Sequence, residues 1–240
     1  MLKGIKKTKN YLLQHRLKRI LENKPSLYVQ IQRWRYAGKR YSRKIVNSNT
    51  DIVIEGYPRS ANSFSVKAFK FANGNQYKIA THQHASPQVV EAVKMSIPTI
   101  VLIRKPQDAV LSYAALRAAT HGLENFRSGY DMRWLLEDYI AFYENVRNVR
   151  NGFLLATFEE VLSDYGAVIE KVNQKFNTDF NAFEHTDENV SKVFSSAKKH
   201  LSPSEERDAI KKVFEEEMER LKKTDTYAKA QQVYQAFINH

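Results

Sequence analysis

The sequence predicts a three-layer α/β domain with a mainly parallel central sheet, helices on both faces and a basic, partly helical N-terminal extension. Three observations predict it. Short apolar runs alternate with helical segments from Asp51 onward, the spacing between runs leaves room for crossover connections, and the excess positive charge lies before that point. Residues 1–50 hold 14 Lys and Arg against one acidic residue, Glu22, whereas the remaining 190 residues hold 24 basic and 25 acidic side chains. A chain of 240 residues, 42% of them hydrophobic, can bury one substantial core. We therefore expect an extension over residues 1–50 and a single domain over residues 51–240.

Within the extension, Tyr11 to Leu21 places Leu12, Leu13, Leu17, Ile20 and Leu21 on one side of a helix, with Arg16, Lys18 and Arg19 largely elsewhere. That face suits docking on the domain or lying on an anionic membrane surface. The tract after it mixes Tyr28, Trp34, Tyr36 and Tyr41 with arginines. Such interleaving can stack on bases, but with no nucleic-acid module around it no specific nucleic-acid partner is expected. An interface between copies of the chain is another use for it.

In the domain, Asp51 to Glu55 reads as a buried strand, Ala61 to Phe71 as a helix, Tyr77 to Ala80 as a short strand and Pro87 to Met95 as a helix. Pro98 to Ile103 is a second buried strand, and Pro106 to Ala119 a helix with proline at its first position. Met132 to Val149 is helical, Phe153 to Phe158 a strand and Tyr165 to Phe176 a helix. Ser202-Pro203-Ser204-Glu205 offers a serine cap, proline at N1 and glutamate at N3, so a further helix begins there, with Ile210, Val213, Phe214, Met218 and Leu221 as its buried stripe. His121 to Asp131 reads as a loop, either a lid or plain surface.

Composition narrows the chemistry. With zero cysteines there is no disulfide framework, thiolate ligand or cysteine nucleophile, which favours a reducing compartment. No run approaches the roughly 18 apolar residues of a membrane-spanning helix, and the basic N-terminus lacks the apolar core of a signal peptide. The expected location is the cytoplasm, with peripheral membrane contact through residues 1–50.

Two motifs carry the functional reading. Ile54 to Phe64, IEGYPRSANSF, keeps the frame of a phosphate loop, with Gly56 in the first glycine position and Ser63 in the hydroxyl position. Ala61 stands in place of the second glycine and Asn62 in place of the lysine, while a cation appears earlier, at Arg59. Strand, loop and helix N-terminus are the elements that surround an anion, yet Asn62 cannot reach the outer phosphates of ATP. The loop thus suits a shorter 5′-phosphate group. The second motif, Arg104 to Ser112, puts a cation at the carboxyl end of a strand, then a proline-started helix with a hydroxyl two turns along. Ligands of open α/β sheets sit at those strand ends, so the two loops should be neighbours and should serve a nucleotide with two separate phosphates.

These residues resemble a known family. YPRSANSF, Tyr57 to Phe64, is similar to the phosphosulfate loop Y-P-K-S-G-T-T-W of the sulfotransferases that use 3′-phosphoadenosine 5′-phosphosulfate (PAPS), and RKPQDAVLS resembles their R-N-P-K-D-V-x-V-S motif. Thr81-His82 looks like the T-H that brings the catalytic histidine, and Phe158-Glu159-Glu160 like a later Y-E-D. The likeness spans residues 51 to 205, and the fold it implies is that of the phosphate-loop NTPases. It implies a sulfuryl transfer from PAPS to a hydroxyl, or less readily an amine, of a small-molecule, carbohydrate or glycolipid acceptor, with no metal required. Tyr57, Pro58 and Ala61 would complete the loop, and Arg59 would hold the phosphosulfate and stabilise the leaving phosphate. Ser60, Asn62 and Ser63 would donate to the 5′-phosphate, Phe64 would stack on adenine, and Phe158 would lie close to the nucleotide. Arg104 and Ser112 would bind the 3′-phosphate, with Lys198 and Lys199 as candidates for a further contact.

His82 would be the general base, with His84, Glu55 or Glu91 as alternatives. Ala80 stands where many family members have a lysine, and Arg59 would supply that charge. Two other readings are a divergent phosphate-loop kinase and a non-enzymatic protein that binds polyanions or membrane surfaces through residues 1–50.

Overall fold

The computed structural model describes residues 19–123, 131–196 and 205–239. The helix expected over Tyr11 to Leu21 falls almost wholly outside these residues, as do Lys198, Lys199, the Ser202–Ser204 cap and most of the loop from His121 to Asp131.

Among the described residues four strands, β1 (Ile52–Gly56), β2 (Ile79–Thr81), β3 (Thr99–Ile103) and β4 (Leu154–Thr157), form one sheet in the order β2-β1-β3-β4. All three pairings are parallel, with Val53 beside Ala80 and Thr99, and Leu102 beside Ala156. β1 and β3 are buried along their whole length because helices cover both faces, which is why they read as unbroken apolar runs.

One face carries α2 (Asn62–Asn73), the short α6 (Phe158–Ser163), α7 (Tyr165–Phe176) and α8 (Asp187–Ser195). There Ile54, Ile100 and Leu102 pack against Phe64, Phe69, Ile169 and Val172. On the other face are α1 (Pro25–Arg35), α3 (Ser86–Lys94), α4 (Pro106–His121) and α5 (Met132–Arg147), backed by α9 (Glu205–Leu221) and α10 (Asp225–Ile238). Val101 and Ile103 meet Val110, Leu135 and Tyr143, and Val53 meets Val46, Ala85 and Ala92. The three-layer α/β class is therefore the observed one, and the elements expected within the domain end within two residues of their observed bounds.

Several details differ from expectation. The arginine-rich aromatic tract folds as α1, started by Pro25 and anchored on α3 through buried Tyr28 and Val29. Residues 45 and 46 are buried beside β1 and β2, so the latter half of the basic segment packs on the edge of the sheet. α6 is closed by a capping box between Thr157 and Glu160, and Thr186 and Thr224 cap α8 and α10. In α9, Phe214, Met218 and Leu221 are buried as expected, but Val213 is 43% exposed. One residue is about 100° of helix, so Val213 turns away from the stripe that Phe214 joins.

Candidate functional site

The sheet order creates a switch point: from β1 the chain crosses to β2 on one side and returns to β3 on the other. The loops that leave the carboxyl ends of β1 and β3 therefore lie together, which is where a crevice opens in such folds. Arg104 Nη1 donates to the carbonyl of Arg59 at 3.1 Å, and Arg59 Nε donates to Ser112 Oγ on α4 at 2.9 Å. The two motifs are joined directly.

Each motif is fixed from behind. A Cβ at Gly56 would overlap the carbonyl oxygen of Leu102, so the first glycine of the frame is demanded by the approach of β3. Tyr57 is buried, its hydroxyl donating to the Leu135 carbonyl at 2.9 Å, and so only its backbone belongs to the loop. Pro58 is buried as well. Tyr139 and Tyr143 donate to the carbonyls of Arg104 and Leu102, each at 2.8 Å, and so pin the end of β3. The guanidinium of Arg104 lies 3.9 Å from the centre of the Phe158 ring. Burial lowers the Arg104 pKa, and the carboxylates of Asp108 and Glu159 act against that shift. Phe158 thus backs an arginine of the site.

The loop bends through left-handed backbone at Arg59 (φ 69°) and Ala61 (φ 68°). This conformation costs an L-residue about 1–2 kcal/mol and is free for glycine. Ala61→Gly should therefore raise stability by about 0.5–1 kcal/mol after the extra freedom of the unfolded chain is subtracted. Urea denaturation measures this, and a loss of stability would refute strain at Ala61.

Three expected nucleotide contacts are arranged differently. Asn62 is 4% exposed and its amide donates back to the Tyr57 carbonyl at 3.0 Å, bracing the loop instead of facing a ligand. Ser60 Oγ is wholly buried and makes no hydrogen bond within the described residues. It lies near enough to Tyr143 to act against the rise that burial gives the Tyr143 pKa, while the tyrosine directs its own proton to the Leu102 carbonyl. Phe64 is 1% exposed, boxed by the rings of Tyr165, Phe183, His185 and Phe194, so neither of its faces is open to a base. Arg59, Ser63, Arg104 and Ser112 are partly exposed.

His82 and His84 leave the strand expectation behind. β2 stops at Thr81, and both histidines have left-handed backbone, φ 58° and 49°, with their ring centres 5.7 Å apart in an edge-to-face arrangement. His84 Nδ1 lies 2.8 Å from the Gly56 carbonyl. For His82, Nδ1 lies 2.9 Å from Thr81 Oγ1 and Nε2 lies 3.0 Å from Ser63 Oγ. Thr81 directs its own proton to the Ile54 carbonyl at 2.8 Å and must accept from Nδ1–H. This assigns Nε2 as the unprotonated nitrogen, with the Ser63 hydroxyl donating to it. Burial, then the positive charges of His84 and Lys44, push the His82 pKa down to about 3. Neutral imidazole is the resting form, in place of a group poised near neutrality.

Glu55 and Glu91, the carboxylate alternatives, are both engaged elsewhere. Glu55 is 0% exposed, and its oxygens accept from the backbone N–H groups of Gln83 (2.6 Å) and His84 (3.2 Å) and the Gln88 amide (2.9 Å). Glu91 Oε1 accepts from Ser26 and Lys94, each at 2.9 Å. Gln88 and Tyr139 escape sequence reasoning altogether. Nothing in the local pattern marks them, since their partners are 33 and 35 residues away.

No family model and no curated protein matches the chain. Among solved structures it is similar to a mouse sulfotransferase, SULT7A1, complexed with PAP, at 15% identity and a TM-score of 0.43, over 78% of this chain and 89% of that one.

Proposed function

We propose that the protein is a sulfotransferase that moves a sulfuryl group from PAPS to an acceptor hydroxyl and leaves 3′-phosphoadenosine 5′-phosphate (PAP). The observation that carries this reading is the direct linkage of the two motifs, Arg59 to Ser112 and Arg104 to Arg59, at the switch point of the sheet. Arg59, Ser63, Arg104 and Ser112, all partly exposed, bring two guanidinium and two hydroxyl donors to the motifs that open α2 and α4, a set that suits two phosphate groups. The base has no open aromatic face at Phe64, so adenine is assigned no stacking partner.

PAPS supplies an activated sulfuryl group; the chain supplies position, charge and a proton acceptor. Arg59 and Ser63 hold the 5′ end, and Arg104 and Ser112 hold the 3′-phosphate. His82 Nε2, with Nδ1–H fixed on Thr81, takes the proton of the attacking hydroxyl. Cations facing the leaving oxygen lower the barrier by stabilising the charge that develops there.

The acceptor side supports an anionic partner. Residues 23–50 contain seven Lys and Arg and no acid. Tyr36 and Tyr41 pack with ring centres 4.5 Å apart; Arg35 and Lys39 lie over the first ring and Lys44 over the second. Tyr41 donates to the His82 carbonyl at 3.0 Å, so this cationic ridge borders the proposed base. Trp34, 83% exposed on the same segment, is suited to a polysaccharide or glycolipid surface. The chain is read as acting in the cytoplasm, with residues 1–50 at an anionic surface.

Calorimetry decides between this and the kinase reading. PAP should bind without magnesium and ATP should not compete for the site. Failure of PAP to bind, or turnover of ATP with magnesium, would overturn the proposal.

A further inference from the structure

Of the acidic side chains in the described residues, Glu55 alone is completely enclosed. It lies on the β1 face shared with Val53, toward α3. Burying a carboxylate costs several kcal/mol unless its oxygens are fully bonded, so its partners show what that burial achieves. The nearest basic side chain among the described residues is the His84 ring, at 3.9 Å, too long for a hydrogen bond. What Glu55 holds instead is backbone: the N–H groups of Gln83 and His84, the two residues that follow His82. Those N–H groups converge on one side chain because His82 and His84 both take left-handed backbone. Such a turn persists only where its surroundings impose it. Gln88 extends the clamp, since its amide N–H groups reach Glu55 and the Lys44 carbonyl while its oxygen accepts from Val46 N.

We propose that Glu55 is a positioning residue, whose ionised carboxylate imposes the turn that aims His82 Nε2 at the phosphate loop and ties that turn, through Gln88, to the cationic segment before β1. The consequence for catalysis rests on the function proposed above; the coupling itself does not. Glu55 is not the base, because it is enclosed behind the turn with both oxygens engaged.

Protonation makes the clamp switchable. A protonated carboxyl turns one acceptor oxygen into a donor, and the N–H of Gln83 or His84 then loses its partner. The groups facing Glu55 are His84 on the turn, Tyr41 on the segment before β1, and the neutral Gln88 on α3. Burial pushes the Glu55 pKa up to about 7, against its hydrogen bonds, so the change falls near neutrality.

The test is NMR on the full chain, following the Glu55 carboxyl carbon, the Gln83 and His84 amides and the His82 ring nitrogens from about pH 5 to 9. The carboxyl and the two amides should move together with one midpoint near neutrality, and that midpoint should survive His84→Ala. In Glu55→Gln the midpoint should vanish and the His82 ring should lose its single Nδ1–H pattern, while Glu55→Asp restores both in part. PAP affinity should stay within about threefold. A midpoint that disappears in His84→Ala, amides indifferent to the carboxyl, or an unchanged His82 ring in Glu55→Gln would each overturn the proposal. If Glu55→Gln does not fold, the wild-type and His84→Ala titrations decide the matter. Absence of PAP binding would refute the sulfotransferase reading while leaving the coupling intact.

Discussion

Arg104→Ala should weaken PAP binding about 100-fold while leaving adenosine 5′-phosphosulfate nearly unaffected. A charge-assisted hydrogen bond contributes about 1.5–3 kcal/mol, and truncating one partner of a desolvated pair costs about 2–5 kcal/mol, so two orders of magnitude is the central expectation. Arg104 is partly buried, its carbonyl is pinned by Tyr139 and its guanidinium rests on Phe158, so little ordering is required when it meets a phosphate. Adenosine 5′-phosphosulfate lacks the 3′-phosphate but carries a sulfuryl group that PAP lacks, so calorimetry includes adenosine 5′-phosphate, which differs from PAP by the 3′-phosphate alone and isolates that contact. Equal losses would mean that Arg104 serves the 5′ end or only braces the Arg59 carbonyl. Ser112→Ala is a less clean probe, because Ser112 also accepts from Arg59 and its loss disturbs both ends.

The place of Arg104 is legible in the sequence. PTIVLI followed by arginine and a proline-started helix marks the carboxyl end of a buried parallel strand, and parallel sheets gather such ends on one edge. β1 and β3 are equally plain because both their faces are covered. What the sequence hides depends on contacts between residues far apart along the chain. Asn62 has the composition of a phosphate donor, yet its amide closes the loop onto Tyr57. Phe64 stands where a stacking ring is expected, but Phe183, His185 and Phe194 arrive from more than 100 residues away to enclose it. Glu55 in a strand reads as a candidate base, whereas the fold brings the Gln83 and His84 N–H groups onto it. α10 is a different case: Ala230, Val233, Tyr234 and Phe237 form a helical stripe after a threonine cap, a signal that is local and present in the sequence.

His82→Ala should cut turnover by about 100- to 10,000-fold with nucleotide affinity retained, the usual range for a lost general base. The folded-state pKa of about 3 makes the expected pH behaviour specific. This pKa is depressed below the ordinary 6.5, so the stability His82 contributes is fully present above 6.5 and is lost as pH falls toward 3. Glu55 runs the other way. Its pKa is raised from 4.5 to about 7, so its contribution is present below 4.5 and lost as pH rises through 7. An imidazole this hard to protonate is a weak base, and at rest its Nε2 accepts from Ser63. Ser63 is also a proposed donor to the 5′-phosphate. One hydroxyl proton cannot serve both, so a bound phosphate would draw it from Nε2 and place negative charge nearby, and both effects raise the affinity of His82 for a proton. PAP should therefore shift the His82 titration upward in ¹⁵N spectra, and Ser63→Ala should leave His82 accessible without nucleotide. If PAP binds and His82 still titrates at its resting value, proton transfer belongs to another group and His82 only holds the turn.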